Sequence, residues 1–144
     1  MTDLSQSELQ FALEAVRTAA RVAQDVRAVP AMAKTDRSPV TVADFAVQAI
    51  VARLLAQTFP GQVLVAEEDA EALRTPEKRP ILEEVTAFVG RAMADAAPED
   101  VCEWIDYGGG EPAARFWTLD PIDGTKGFLR GGQYAIALAL VVEG

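Results

Sequence analysis

The sequence predicts an α+β fold in which helices pack on a mixed or antiparallel sheet. Three observations predict it. Apolar residues recur at helical spacing in three segments, 9–26, 45–55 and 82–93. Three shorter stretches, 62–66, 115–119 and 134–142, are rich in β-branched, aromatic or aliphatic residues and bounded by turn signals. The resulting order is helix, helix, strand, helix, strand, strand, with a sheet that helices must cover.

Each element has its own justification. Ser5 and Glu8 fit a capping box, and Leu9, Ala12, Leu13, Val16, Ala19, Ala20, Ala23 and Val26 then form one apolar stripe. Pro30 ends that pattern. Residues 34–45, "KTDRSPVTVADF", open as a polar turn with Pro39 inside it. A second amphipathic helix follows, with Phe45, Ile50, Val51, Leu54 and Leu55 on its apolar side, and Pro60–Gly61 stops it. "QVLVA" is a strand that runs straight into "EEDAE", and residues 74–80 are a surface loop. A third helix starts near Pro80 and presents Leu82, Val85, Phe88, Val89 and Met93. "VCEWIDY" fits strand and helix equally, and "GGGEPAA" reads as a flexible loop. "RFWTL" is a strand that delivers Asp120, and "YAIALALVV" is a long apolar strand. So apolar a strand calls for a neighbour and a covered face, and Glu143–Gly144 looks like the start of a hairpin. Self-association through that strand is therefore expected of the isolated chain.

The bulk numbers narrow the function. A chain of 144 residues is long enough for one domain with a real core. Its 13 Lys+Arg against 22 Asp+Glu, net −9, argue against a nucleic-acid or anionic-membrane surface. They leave room for a small phosphorylated molecule, because a metal inverts local charge. The absence of histidine removes His-based triads, imidazole bases and the usual zinc sites. The single Cys102 permits no internal disulfide, which points to a reducing cytoplasm, and it reads as a buried thiol rather than a nucleophile. The N-terminus lacks a basic, then apolar, signal-peptide pattern, and no segment reaches the roughly 18 apolar residues of a membrane span.

The chemistry concentrates in "LDPIDGTKGFLRGG", residues 119–132. Asp120 lies at a strand end, Pro121 turns the backbone, and Gly124 permits a positive φ. The turn can bring both carboxylates, Asp120 and Asp123, and the Ile122 carbonyl to one point. Hard oxygen ligands of this kind suit Mg²⁺ rather than zinc or copper. The N–H groups near Thr125 and Lys126 could face a phosphate. A plain Asp-Gly turn accounts for the same residues. An EF-hand fails on position, and a Walker A loop is absent. Glu67, Glu68 and Asp69 are either a solvated acidic run or a second carboxylate group converging from another strand end. Asp44 fits a capping box with Thr41 as N-cap, a role compatible with a functional one.

"WTLDPIDGTKGFLRGGQYAIALAL", "SPVTVADF" and "VLVAEED", in this order, resemble the inositol monophosphatase superfamily of lithium-sensitive, magnesium-dependent phosphatases. "DPIDGTKGFLRG" looks most like its 3'(2'),5'-bisphosphate nucleotidase branch. The resemblance covers residues 34–144 in pieces, and its Asp-Pro-Ile-Asp-Gly-Thr string is the specific part. It implies that the chain is the N-terminal half of the layered sugar-phosphatase fold. It implies that Glu67, Asp120, the Ile122 carbonyl and Asp123 bind Mg²⁺, and that Asp44 and Thr125 orient and deprotonate the attacking water. Backbone groups at Gly124 and Thr125 would hold the phosphate, with Lys34 near the metal loop.

The implied reaction removes the 3'-phosphate of adenosine 3',5'-bisphosphate, giving AMP and phosphate, by in-line attack of an activated water. An inositol-phosphate or other sugar-phosphate phosphatase is the alternative substrate class. Two departures stand out. Ala66 precedes the glutamate where the family usually has glycine. The family's C-terminal half, with a Trp-Asp motif and most of the nucleotide pocket, is not found; Trp104-Ile105-Asp106 has the wrong spacing and place. Residues 1–144 thus read as the N-terminal metal-binding phosphatase domain of a longer enzyme, or as a metal- or phosphate-binding module without turnover.

Overall fold

The second helix organises the molecule. A computed structural model describes residues 5–28 and 39–143. In it α1 spans Gln6–Ala28 and α2 spans Pro39–Thr58. Helix α2 is apolar nearly all round, so it is a buried helix rather than an amphipathic one. Val42, Ala43, Ala46, Val47, Ile50, Val51, Ala52 and Leu55 are all sealed from solvent. The expected one-sided stripe is therefore only part of its buried surface. The helix begins at Pro39, which locks φ at a helical value and needs no N–H partner there. Thr41 consequently lies inside the first turn and is not the N-cap.

Helix α1 starts with the expected capping box. The Ser5 N–H donates to Glu8 Oε1 at 2.9 Å, and the Glu8 N–H donates to Ser5 Oγ at 3.1 Å. Its buried face, however, is rotated from the expected stripe. Phe11, Ala15, Ala19, Val22, Ala23 and Val26 are buried, whereas Leu9 and Leu13 are exposed. Glu8 explains the rotation: it turns inward and pairs with Arg115 at the start of a strand. Alanines at 15, 19 and 23 then let α1 lie close against α2.

Among the described residues, three strands form one mixed sheet: β1 (Leu64–Ala66), β2 (Arg115–Asp123) and β3 (Ala135–Val142), in that spatial order. Strand β1 runs parallel to β2, with Ala66 opposite Leu119. Strand β3 runs antiparallel to β2, with Asp120 opposite Ala137. The parallel step requires a crossover, supplied by α3 (Arg79–Val89) and α4 (Pro98–Asp106). Helix α3 buries Leu82, Val85, Phe88 and Val89 as expected, while Met93 falls beyond its end. The ambiguous "VCEWIDY" is helical: Val101, Cys102 and Ile105 face inward, and the Asp100 carboxylate accepts the Ala97 N–H at 3.1 Å.

The expected surface loop at 74–80 is exposed and holds two short 3₁₀ turns, Ala72–Arg74 and Pro76–Lys78. Part of the expected flexible glycine loop is instead pinned to the free edge of β1. The Ala66 N–H donates to the Gly108 carbonyl at 2.7 Å, and the Gly110 N–H to the Leu64 carbonyl at 3.0 Å.

Strand β3 is only half covered. Ile136, Leu138 and Leu140 turn toward the core, and Ala135, Ala137 and Ala139 are exposed on the other face. Between β2 and α1 the core closes on aromatic rings: Phe11 meets Phe59 and Trp117 edge-on at 5.6 and 5.2 Å. The Trp117 indole N–H is satisfied by Gln62 Oε1 at 2.5 Å.

Candidate functional site

Parallel pairing of β1 and β2 sends both strands out at the same edge of the sheet. Glu67 follows β1 directly, and Asp120 sits in β2 one position past the residue paired with Ala66. Side chains alternate along strands, so Val65 and Glu67 share a face with Thr118 and Asp120. Glu67 and Asp120 both border a shallow depression of about 340 Å³, floored by Val65, Thr118, Ala137 and Ala139.

Strand β2 does not stop at Asp120 as its turn chemistry suggests. It continues to Asp123 through an irregularity in which three steps on β2 match two on β3. Pro121 lies inside it, since a proline cannot donate to the ladder of a central strand. The turn comes at Gly124, whose φ of 91° is the left-handed conformation that only glycine adopts without cost. Gly124 leads into α5 (Thr125–Leu129), whose Phe128 is buried as an anchor. Thr125 and Lys126 are exposed at its start, Asp123 is exposed before it, and the Ile122 side chain is buried.

Asp44 on α2 is where the carboxylates meet. Burial, then the charges of Glu68, Glu67 and Asp120, push its carboxyl from 3.8 up to about 7, against a backbone hydrogen bond from Ile122. Glu67, Glu68 and Asp120 thus all act electrostatically on Asp44. Glu68 is also held above its ordinary range, by burial and then by its neighbours Glu67 and Asp69. Asp123 and Thr125 lie further along the chain. Lys34 lies outside the described residues.

Among the described residues, no three acidic or thiol side chains close into a metal-sized cage. The donor chemistry is still that of a hard cation: all oxygen, with burial and then a surplus of negative charge raising Asp44 and Glu68. Residues around the acidic group were not singled out from sequence. In the sequence Glu68 reads, with Glu67 and Asp69, either as a solvated acidic run or as part of a converging carboxylate group. Gln48 was passed over, although one polar residue amid "AVQAIVA" is itself a signal. Arg27 was missed as well: its Nη1 donates to the Gly132 carbonyl at 2.8 Å, and its guanidinium stacks over Tyr134 at 4.8 Å. It thereby ties the end of α1 to the loop that follows α5.

Sheet, crossover helices and acidic border together make an α+β scaffold. Residues 4–144 match the profile described as the Inositol monophosphatase family, and the chain belongs to that family. It is 44% identical to a 3'(2'),5'-bisphosphate nucleotidase of Oryza sativa, over 96% of this chain and 43% of that protein. It is 41% identical to 3'(2'),5'-bisphosphate nucleotidase 1 of Arabidopsis thaliana and 40% identical to the 3'(2'),5'-bisphosphate nucleotidase of Schizosaccharomyces pombe. In both cases 96% of this chain aligns with 44% of the relative. The chain therefore spans less than half the length of these relatives. Among the described residues, no helix is long and apolar enough to cross a membrane.

Proposed function

We propose that the protein of which this chain forms at least part is a Mg²⁺-dependent phosphomonoesterase. Its substrate is adenosine 3',5'-bisphosphate, whose 3'-phosphate it removes to leave AMP and phosphate. The observation that carries the reading is geometric: the parallel register of β1 and β2 brings Glu67 and Asp120 to the border of one depression. The names of the relatives support the substrate.

In this reading Glu67, Asp120, the Ile122 carbonyl and Asp123 hold Mg²⁺. A bound divalent cation supplies an acidified water and neutralises charge on the phosphoryl oxygens. The chain's own residues do the rest. Asp44 accepts a proton from the attacking water, and the Thr125 hydroxyl helps to orient that water. The turn at Gly124–Thr125 presents backbone N–H groups to the phosphate. Lithium sensitivity follows from competition for an oxygen-lined cation position. The reaction takes place in the cytoplasm, where a chain with one cysteine and no disulfide is at home.

The family description favours a second reading, an inositol-phosphate or other sugar-phosphate phosphatase on the same residues. The experiment is phosphate release from adenosine 3',5'-bisphosphate and from inositol 1-phosphate, with and without Mg²⁺. Faster Mg²⁺-dependent release from the nucleotide upholds the first reading. Preference for inositol 1-phosphate replaces it with the second. No release from either, with metal bound, leaves a binding module without turnover.

A further inference from the structure

Gln48 is an amide sealed from solvent in the middle of α2, with Val47, Ala49, Ile50, Val51 and Ala52 buried around it. A buried primary amide is costly unless its donors and acceptor are paired. All of its partners are backbone groups. Nε2 donates to the Glu68 carbonyl at 2.7 Å and to the Ile105 carbonyl at 2.8 Å. Oε1 accepts the Glu68 N–H at 3.0 Å. One side chain thus engages both main-chain groups of Glu68, as a neighbouring strand would, and ties them to the end of α4.

The acidic segment that begins at Glu67 has a second tie two residues on. Asp106 Oδ1 accepts the Ala70 N–H at 2.8 Å, and Oδ2 pairs with Arg74 at 2.7 Å. Glu67, Glu68 and Asp69 lie on this short segment; the charges of the first two act on Asp44, and Glu67 borders the same depression as Asp120. Like charges so crowded push the segment away from the sheet edge. Gln48 opposes that displacement without adding charge.

We propose that Gln48 is a positioning residue: its side-chain amide clamps the peptide of Glu68 and so holds Glu67 beside Asp120 before any cation arrives. The inference rests on the metal reading above and adds to it the residue that pre-organises the site. Gly108 is part of the same device. A Cβ there would lie 2.5 Å from Gln48 Nε2 and 3.0 Å from the Ala66 Cβ, so only glycine leaves the amide its place.

The test measures Mn²⁺ binding by electron paramagnetic resonance and amide hydrogen exchange at Glu68, in the full-length protein. Gln48→Met keeps the volume and removes the clamp. Loss of an outer-shell partner typically weakens metal binding by about 10–100-fold. That weakening is expected, together with fast exchange at Glu68. Val85→Ala, a buried truncation on α3, lowers stability but should leave Mn²⁺ affinity within about twofold of wild type, because α3 carries no site residue. If Gln48→Met does not fold, Gly108→Ala displaces the same amide and should show the same loss. A folded Gln48→Met with wild-type Mn²⁺ affinity, or with a loss no greater than that of Val85→Ala, overturns the proposal. If the wild type binds no Mn²⁺, the metal reading fails on its own. Exchange at Glu68 then decides the clamp: slow in wild type and fast in the variant upholds it, and equal rates overturn it.

Discussion

Replacing Asp44 by asparagine should stabilise the metal-free protein above pH 7 and leave it unchanged near pH 4. The substitution keeps the side chain's shape and an oxygen to accept the hydrogen bond from Ile122, and it removes one charge. In the folded chain, burial and the charges of Glu68, Glu67 and Asp120 raise the carboxyl from 3.8 to about 7. An acid raised in this way favours folding through its protonated form. That contribution is full below pH 3.8 and is lost as pH rises through about 7. Wild type should therefore fall behind the asparagine variant across that window. At about 1.4 kcal/mol per pKa unit, the ceiling is about 4 kcal/mol. Solvent reaches the half-buried side chain and screens its neighbours, so about 1–2 kcal/mol is expected at pH 8. For a domain of this size that is roughly 2–8 °C in Tm. The assay is thermal melting of both proteins in chelator from pH 4 to 8.5. A difference that does not change with pH would refute the reasoning, as would a variant less stable than wild type at pH 8. Saturating Mg²⁺ should narrow the gap, because a cation neutralises the same crowding.

The same Asp44→Asn variant should lose about 10²–10⁴-fold in turnover, and wild-type turnover would reduce Asp44 to a structural role. Mg²⁺ at 100 times its dissociation constant should add about 2.7 kcal/mol of stability, which Asp120→Asn and Asp123→Asn should each abolish in thermal melts. Glu8→Gln should cost about 1–3 kcal/mol at pH 7, because it removes the charged partner of Arg115. Hydrogen bonding to Arg115, then to the Ser5 backbone, lowers the Glu8 pKa from 4.5, so this cost should be present above that value and fade on acidification in urea titrations. Gly124→Ala should destabilise by about 1–2 kcal/mol, since φ of 91° is strained for any other residue. A neutral result in chemical denaturation would show that the turn relaxes.

Much of the candidate site was legible because its signals are local. Asp120 and Gly124 announce themselves by type and spacing, and the positive φ at Gly124 is a property of one residue. The capping box of Ser5 and Glu8 spans four residues and forms as written. What spacing could not show is which side of a helix turns inward. Leu9 and Leu13 look like core residues on α1, yet they are exposed because Glu8 is drawn in by Arg115 from a distant strand. "VCEWIDY" carries too short an apolar run to choose between periods, and packing against α2 and α3 settles it as helix.

The sequence by itself determined where most of the elements fall, which turn needs glycine, and that the carboxylates concentrate in residues 67–69 and 120–123. Those are consequences of side-chain type and near-neighbour spacing. Only the tertiary structure decided that Asp44, Glu67, Glu68 and Asp120 share one edge, because that depends on β1 pairing parallel to β2 across the α3–α4 crossover. It likewise decided that Gln48 is buried against the backbone of Glu68. Residues 20 apart in sequence meet there, and no local rule records the desolvation and charge that their meeting creates.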